Sequence, residues 1–278
     1  MASIAWTSKA SRTWKPVSWG RVALTAYVVL FVLLLLLPIL LVVLASFSPS
    51  PYSTFPIRSL SLTWYRKALE YGPFMTSLAT SLEIAVLSST LGALFAVPAA
   101  LAIARSTNPL AKGVIVALVS PLSIPAIVLG FSLLYFVSTI WIGPGFVALL
   151  IAHTVIAIPY IARTAISVYR TVPASTEEAA IVLSATRLQT VRLVTLPQLR
   201  QAIFAGILFA FLISLDNLPI SYFFSTPSTA TLPVVMMSVL ENQFDPSVAA
   251  IATIQTVVAI VGLLVADRFC GIARLSPT

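Results

Sequence analysis

Six apolar stretches, each long enough to cross a lipid bilayer, limit what this sequence can fold into. A hydrocarbon core about 30 Å thick needs about 20 apolar residues in a helix, and its backbone groups must find their hydrogen-bond partners within the segment. Hydrophobic residues make up 59% of the chain and charged residues only 9%, which lies outside the range of soluble globular domains. We therefore predict an all-α membrane protein with six transmembrane helices, at residues 22–45, 74–103, 113–139, 145–168, 201–224 and 247–267.

The composition argues against metal chemistry and nucleic-acid binding. The chain has one cysteine, Cys270, so no internal disulfide can form, and one histidine, His153, so a zinc site would lack ligands. The net charge is +8, but the basic residues are scattered between the apolar stretches instead of forming a basic stripe. We expect no metal site and no nucleic-acid partner.

The basic residues predict how the chain is oriented in the membrane. All 16 of them except Arg58, Arg66 and Lys67 lie on one side if the N-terminus is cytoplasmic. Because cytoplasmic segments carry an excess of lysine and arginine, we predict that both termini are cytoplasmic. On the other side, residues 225–246 predict a short apolar helix at the outer surface. The predicted domains are a cytoplasmic N-terminal segment, one transmembrane domain with a cytoplasmic loop, and a cytoplasmic tail, at residues 1–21, 22–268 (loop 169–200) and 269–278.

The most polar part of this cytoplasmic loop reads EEAAIVLSATRLQTVRLVTLP, residues 177–197. Ser175 and Glu178 have the spacing of a capping box, which predicts that a helix starts here. Glu177 and Glu178 would lie in its first turn, where the helix dipole favours acids, and Arg187 would lie near its far end, where it favours bases.

The rest of the loop predicts a second element and a surface. Residues 189–196 can form another short helix, and Pro197 predicts the turn into the fifth span. Ala179, Ala180 and Leu183 give the first helix a small, apolar face that could dock into a groove on another protein. An ordinary solvated loop between two spans is the alternative.

This loop resembles the EAA loop of permease subunits of bacterial ABC importers. That motif has Glu-Ala-Ala, a Gly four residues later, and a final Ile-x-Leu-Pro. Here the triplet at 178–180 and Leu-Pro at 196–197 match at the same spacing, whereas Ser184 replaces the Gly and Val194 the Ile. The similarity extends from SLTWYRKALE to the sixth span and is strongest to the second permease subunit of spermidine/putrescine-type systems.

The resemblance implies a type I ABC importer permease of the bacterial cytoplasmic (inner) membrane, a multi-pass subunit without catalytic residues. Its partners would be a second permease subunit, two copies of an ABC ATPase subunit and an extracytoplasmic solute-binding protein. No lysine of the chain follows a glycine, so the phosphate-binding Gly-Lys loop is absent. We expect no cofactor in this chain, with ATP and Mg²⁺ bound by the ATPase partner. The resemblance makes the first loop helix the coupling helix, with ATPase-coupling residues Glu177, Glu178, Ala179, Ala180, Leu183 and Ser184.

Two acids inside the spans predict the translocation pathway. Glu83 and Asp216 lie in the outer halves of apolar segments, where ionisable groups usually face the bundle interior or a water-filled path. Neither has a basic residue nearby in its own span, which favours a small organic cation or amine as the substrate. The resemblance to spermidine/putrescine-type systems implies that this amine is polyamine-like. Pro219 predicts a break of the fifth helix that frees carbonyl groups toward the same path. The predicted pathway residues are Asp216, Asn217, Glu83, Tyr222 and Phe223.

Several alternatives stay open from the residues alone. Polyamine permeases have a pair of acids near Asp216 and Asn217, and the second acid is Asn here. An amino-phosphonate or a metal complex is therefore another possible substrate, and Asp216 could be a buried structural acid. Proton-coupled secondary transport through Asp216 and Glu83 is a different mechanism. Ser132 and His153 are the residue types of an intramembrane serine protease.

Overall fold

The computed structural model describes residues 19–50, 59–243 and 245–270, and the chain is helical through most of these ranges. The predicted N-terminal segment up to residue 18 and the predicted tail from residue 271 lie outside the described residues. The helices are α1 (Trp19–Ser46), α2 (Thr63–Glu70), α3 (Gly72–Ile103), α4 (Pro109–Val119), α5 (Ala126–Thr139), α6 (Phe146–Tyr169), α7 (Ala174–Val182), α8 (Arg187–Thr190), α9 (Leu196–Leu215), α10 (Leu218–Phe224), α11 (Leu232–Gln243) and α12 (Ser247–Cys270).

Six spans are confirmed if the bent pair α4 and α5 counts as one. Five further stretches of the described residues are long and apolar enough to cross a membrane: α1, α3, α6, the run Arg187–Leu215 and α12 up to Leu264. The predicted short helix within residues 225–246 is also confirmed, as α11.

Close contacts between small residues hold α3, α6 and α9 together at the centre of the bundle. A Cβ atom added at Gly92 of α3 would lie 2.8 Å from the Cβ of Ala157, and one added at Gly206 of α9 would lie 3.0 Å from the Cα of Ile161. Small residues at helix contacts are typical of membrane bundles, in which packing and not hydrophobic exclusion drives association. These three helices form the scaffold for both candidate sites.

The expectation of one helix over residues 113–139 is wrong. A 3₁₀ turn, Ser120–Ser123, follows α4, and α4 and α5 meet at an angle of 112°. Pro125 explains the break, because a proline disfavours helical geometry at the residue before it, and Ile124 is extended with φ −90° and ψ 132°. The third span is therefore two helices.

The fifth span differs from the prediction at both ends. A π-helical turn, Val191–Thr195, joins α8 to α9, so the helix runs through Pro197 without the predicted turn. A π turn rearranges the local hydrogen bonds, and proline is tolerated in the first turn of the segment that follows. The predicted break beyond this point is confirmed, but it lies at Asp216 and Asn217, and Pro219 is in the first turn of α10.

Side chains of α2 fix the opposite end of the bundle from the loop. Lys67 forms an ion pair with Asp245 at 2.5 Å, and the Trp64 indole donates a hydrogen bond to the carbonyl of Ser48. Partial burial alone would raise the pKa of Asp245, but hydrogen bonds from Lys67 and Ser247 outweigh it and hold that pKa below its usual value. The start of α12 is thereby tied to α2.

Candidate coupling loop and translocation pathway

The start of α7 differs from the sequence prediction. The residue before the helix is Pro173, and no side chain caps this end, so the predicted capping box of Ser175 and Glu178 is wrong. A capping box is present at α8 instead. The amide of Gln189 donates to Thr186 Oγ1 at 3.3 Å, and the amide of Thr186 donates to Gln189 Oε1 at 2.8 Å. Arg187 consequently begins α8 and does not end α7, and the predicted second helix merges into α9.

The end of α7 explains the residue type at Ser184. Ser184 has φ +65°, in the left-handed region, and the amide of Ala185 donates to the carbonyl of Ala180 at 3.0 Å. This is the Schellman arrangement that glycine usually terminates. The left-handed conformation explains why the EAA pattern has Gly at this position. This chain adopts the same conformation with Ser184.

Replacing Ser184 by Gly is expected to stabilise the loop by about 1 kcal/mol, because a side chain in the left-handed region costs about that much. Hydrogen exchange of the amides in residues 179–190, in the detergent-purified protein, should slow several-fold. The matched variant Ser184→Val, whose branched side chain fits this region less well, should accelerate the exchange. Equal exchange in both variants would contradict the strained geometry.

Most of the predicted coupling residues are exposed, and one acid, Glu177, is bonded within the chain. Glu178 and Ala179 are exposed, and Ala180 is partly buried. Val182 and Leu183 are each 83% exposed, although both are apolar. Glu177 is the exception, because its carboxylate is bonded to Arg105, Tyr169 and Thr195 within the chain.

Asp216 and Asn217 form the break of the fifth span. Asp216 ends α9, and its side chain is exposed without a hydrogen-bond or ion-pair partner among the described residues. Asn217 caps α10, since its Oδ1 accepts a hydrogen bond from the amide of Ile220 at 3.1 Å. The two neighbours therefore differ: the Asn217 side chain has a structural contact, and the Asp216 side chain has none among the described residues.

The other predicted pathway residues lie on two separate helices. Glu83 is exposed on α3, next to the buried Ile84. Tyr222 on α10 is largely exposed, whereas Phe223 packs edge-on against Phe131 of α5, with ring centres 6.2 Å apart. Phe223 thus packs against α5, whereas Tyr222 and Glu83 are exposed.

A buried polar cluster at the same break was not predicted as a unit. The ring of His153 on α6 is hydrogen-bonded through Nδ1 to Ser214 at 2.7 Å and through Nε2 to Ser221 at 3.0 Å. Ser88 of α3 donates to Ser214 at 3.1 Å. Because Ser214 is on α9 and Ser221 on α10, His153 bridges the two halves of the fifth span. A lone histidine and scattered serines carry no sequence signal for this arrangement.

His153→Leu is expected to lower the free energy of unfolding by about 2 kcal/mol or more, because two buried hydroxyl groups lose a partner. Thermal denaturation of the purified protein, followed by tryptophan fluorescence, measures this change. Ser132→Ala is the matched control and should leave the transition unchanged, since Ser132 is exposed on α5.

With both nitrogens of His153 bonded elsewhere, Ser132 has no base there, and the geometry does not support the protease alternative. A destabilised Ser132→Ala variant would contradict this account.

Residues 92–273 match the family described as binding-protein-dependent transport system inner membrane component. The chain belongs to this family.

Similar proteins place this inner membrane component among ABC importer permeases. It is 32% identical to the putrescine transport system permease protein PotI of Escherichia coli (strain K12), over 82% of this chain and 83% of that protein. It is 30% identical to the spermidine/putrescine transport system permease protein PotC of Haemophilus influenzae, over 81% and 88% of the two chains. It is therefore a multi-pass inner-membrane permease subunit, and the family implies ATPase and binding-protein partners.

Solved structures give the same architecture for this permease. A bacterial ABC transporter involved in the import of alginate has a TM-score of 0.68 at 17% identity, covering 96% of this chain and 99% of that chain. The MetNI methionine ABC transporter has a TM-score of 0.61 at 17% identity, covering 73% and 96%. At these identities the likeness concerns the fold, and the fold is that of an ABC importer permease.

Proposed function

We propose that this permease forms half of the pathway of an ATP-driven importer for a small organic amine of the putrescine class. The main support is Asp216, an acid at the break of a membrane-spanning helix whose side chain has no hydrogen-bond or ion-pair partner among the described residues. Acids inside a bilayer are costly and usually face a substrate or ion path. An amine cation is the ligand that such an acid would stabilise, and relatives that transport putrescine support this substrate class.

The rest of the assembly follows from this proposal. The second half of the pathway is another permease subunit, and an extracytoplasmic binding protein delivers the amine. Two copies of an ATPase subunit bind ATP and Mg²⁺, so this chain holds no cofactor of its own. Both termini and loop 169–200 face the cytoplasm, in agreement with the excess of basic residues there.

The transport cycle is alternating access. ATP binding draws the two ATPase subunits together, and α7 transmits this movement to the spans. The pathway then opens outward, and the amine enters beside α9 and α10, where Asp216 stabilises its charge. ATP hydrolysis resets the cycle. In this account the negative site serves the substrate and carries no protons.

The substrate is tested with the permease co-expressed with its genetically adjacent partner subunits and reconstituted in vesicles. Labelled putrescine should be taken up, whereas labelled 2-aminoethylphosphonate and a ferric citrate complex should not. Unlabelled spermidine should compete better than either of these anionic compounds, because it carries amine cations. Uptake of the phosphonate or the metal complex without uptake of putrescine would overturn the amine assignment.

A further inference from the structure

The adjacent acids Glu177 and Glu178 of α7 have different surroundings. Glu178 is exposed. The side chain of Glu177 is 19% exposed and turns toward the bundle, where it meets Arg105. Two acids that look equivalent in sequence therefore lie on different faces of the helix. Glu178 is on a surface that a partner can reach, and Glu177 makes a contact within the chain.

One guanidinium group connects Glu177 to two spans. Arg105 lies just past the end of α3 and donates through Nη1 to Glu177 Oε2 at 3.1 Å. Its Nη2 donates to the carbonyl groups of Tyr169 and Val172, at the end of α6. The guanidinium also stacks on the Tyr169 ring, 4.2 Å from its centre. Arg105 thus joins the ends of α3 and α6 to the first turn of α7.

The same carboxylate also reaches the fifth span. Thr195 donates through Oγ1 to Glu177 Oε1 at 2.7 Å, and the Tyr169 hydroxyl donates to Oε2 at 3.2 Å. Thr195 is buried and ends the π-helical turn that leads into α9. Both oxygens of Glu177 are therefore used, and the carboxylate links α7 to α3, α6 and α9.

A second arginine holds the scaffold independently of Glu177. The Nε of Arg170, just past α6, donates to the carbonyl of Ala104, just past α3, at 3.1 Å. The ends of α3 and α6 therefore stay connected when Glu177 is changed. What Glu177 adds is the link from these ends to α7 and α9, through hydrogen bonds to a charged group, which are the stronger kind.

We propose that Glu177 is a positioning residue that transmits the movement of α7 to the three central spans, whereas Glu178 serves the surface of α7 that meets the ATPase. This inference rests on the proposed function. A helix that is only pressed against the spans could slide or tilt without moving them. A carboxylate bonded to three of them makes α7 and the ends of these spans move together.

The test compares Glu177→Gln with its matched neighbour Glu178→Gln in the complete importer. Glu177→Gln should retain the ATPase subunit on purification and retain basal ATP hydrolysis. Putrescine uptake per ATP hydrolysed should fall by about tenfold, which is the size expected for losing hydrogen bonds to a charged group. Glu178→Gln should instead weaken the retention of the ATPase subunit. If Glu177→Gln lost the ATPase as well, or kept the wild-type ratio, the inference would be overturned.

A second variant separates transmission from folding. Thr195→Val removes one donor to Glu177 and keeps nearly the same side-chain volume, so it should lower the same ratio by a smaller factor. The double variant should be no worse than Glu177→Gln alone, because both changes act on one network. Additive losses, together with a lower melting temperature of each single variant, would indicate two independent folding defects and overturn the inference.

The role of Glu177 can be tested even if putrescine is not the substrate. If the wild-type importer takes up no putrescine, the substrate assignment fails. A second readout does not depend on the substrate: the binding protein, purified with the solute that it carries, should stimulate ATP hydrolysis on the other side of the membrane. This stimulation reports coupling through the spans. That stimulation should fall about tenfold in the Glu177→Gln importer. In the Glu178→Gln importer, the stimulation per assembled complex should remain that of the wild type. Wild-type stimulation in Glu177→Gln would contradict the role of Glu177.

Discussion

Replacing Asp216 by Asn is expected to lower putrescine uptake by about 100-fold, because losing a hydrogen bond between two charged groups costs up to about 3 kcal/mol. The carboxylate ends α9 and has no partner among the described residues. Its removal therefore leaves the contacts within the protein in place and withdraws the negative charge that the amine meets. Initial rates of labelled putrescine uptake into vesicles measure the effect.

Two comparison variants make this prediction specific. Asp216→Glu keeps the charge and should recover part of the rate. Glu83→Gln should reduce uptake less, since Glu83 is on α3 and not at the break of the fifth span. Melting temperatures of the purified variants should stay close to that of the wild type. An Asp216→Asn permease that transports normally but melts at a lower temperature would show that Asp216 is a structural acid.

Replacing Leu183 by Asp is expected to weaken the association with the ATPase subunit by about 100-fold, because the loss of a hot-spot residue at the centre of an interface costs about 2 kcal/mol or more. Leu183 is 83% exposed at the end of α7, next to the equally exposed Val182. An aspartate at this position would place an unpaired charge in the contact. The association is measured in detergent, by the fraction of the ATPase subunit that is recovered with the affinity-tagged permease at a series of ATPase concentrations.

Ser175→Asp is the matched control for this variant. It adds the same charge to the same helix, at an exposed position in the first turn, where the helix dipole favours an acid. This variant should keep the ATPase subunit. If Leu183→Asp retained the ATPase as well, the exposed apolar end of α7 would not be the coupling surface.

Hydrophobicity and local chemistry predicted most of the fold. The spans follow from the length of the apolar stretches, since a helix satisfies all of its backbone hydrogen bonds within one segment in lipid. The break in the fifth span was expected from Pro219, and the structure has it three residues earlier, at Asp216. The break at Ile124 and Pro125 was missed because proline is tolerated inside other spans, as Pro98 is within α3.

The candidate sites were predictable as segments and less so as contacts. The polar loop marks α7 and α8, but the cap at Thr186 instead of Ser175 depends on where the chain turns after Ser184. The network of Glu177 depends on Arg105, which is 72 positions away along the chain. Such pairings are set by how α3, α6 and α9 pack, and a single sequence does not record them. The transport roles of Asp216 and the exposed loop residues remain predictions.

The source of energy is the most direct test of the central claim that this permease belongs to an ATP-driven amine importer. The complete complex, reconstituted in vesicles with its binding protein outside, is supplied with ATP and Mg²⁺ at the ATPase face while an ionophore dissipates the proton gradient. Labelled putrescine should accumulate, and omitting ATP should abolish the accumulation. Accumulation driven by an imposed proton gradient without ATP, and lost with the ionophore, would contradict the account and identify a proton-coupled transporter.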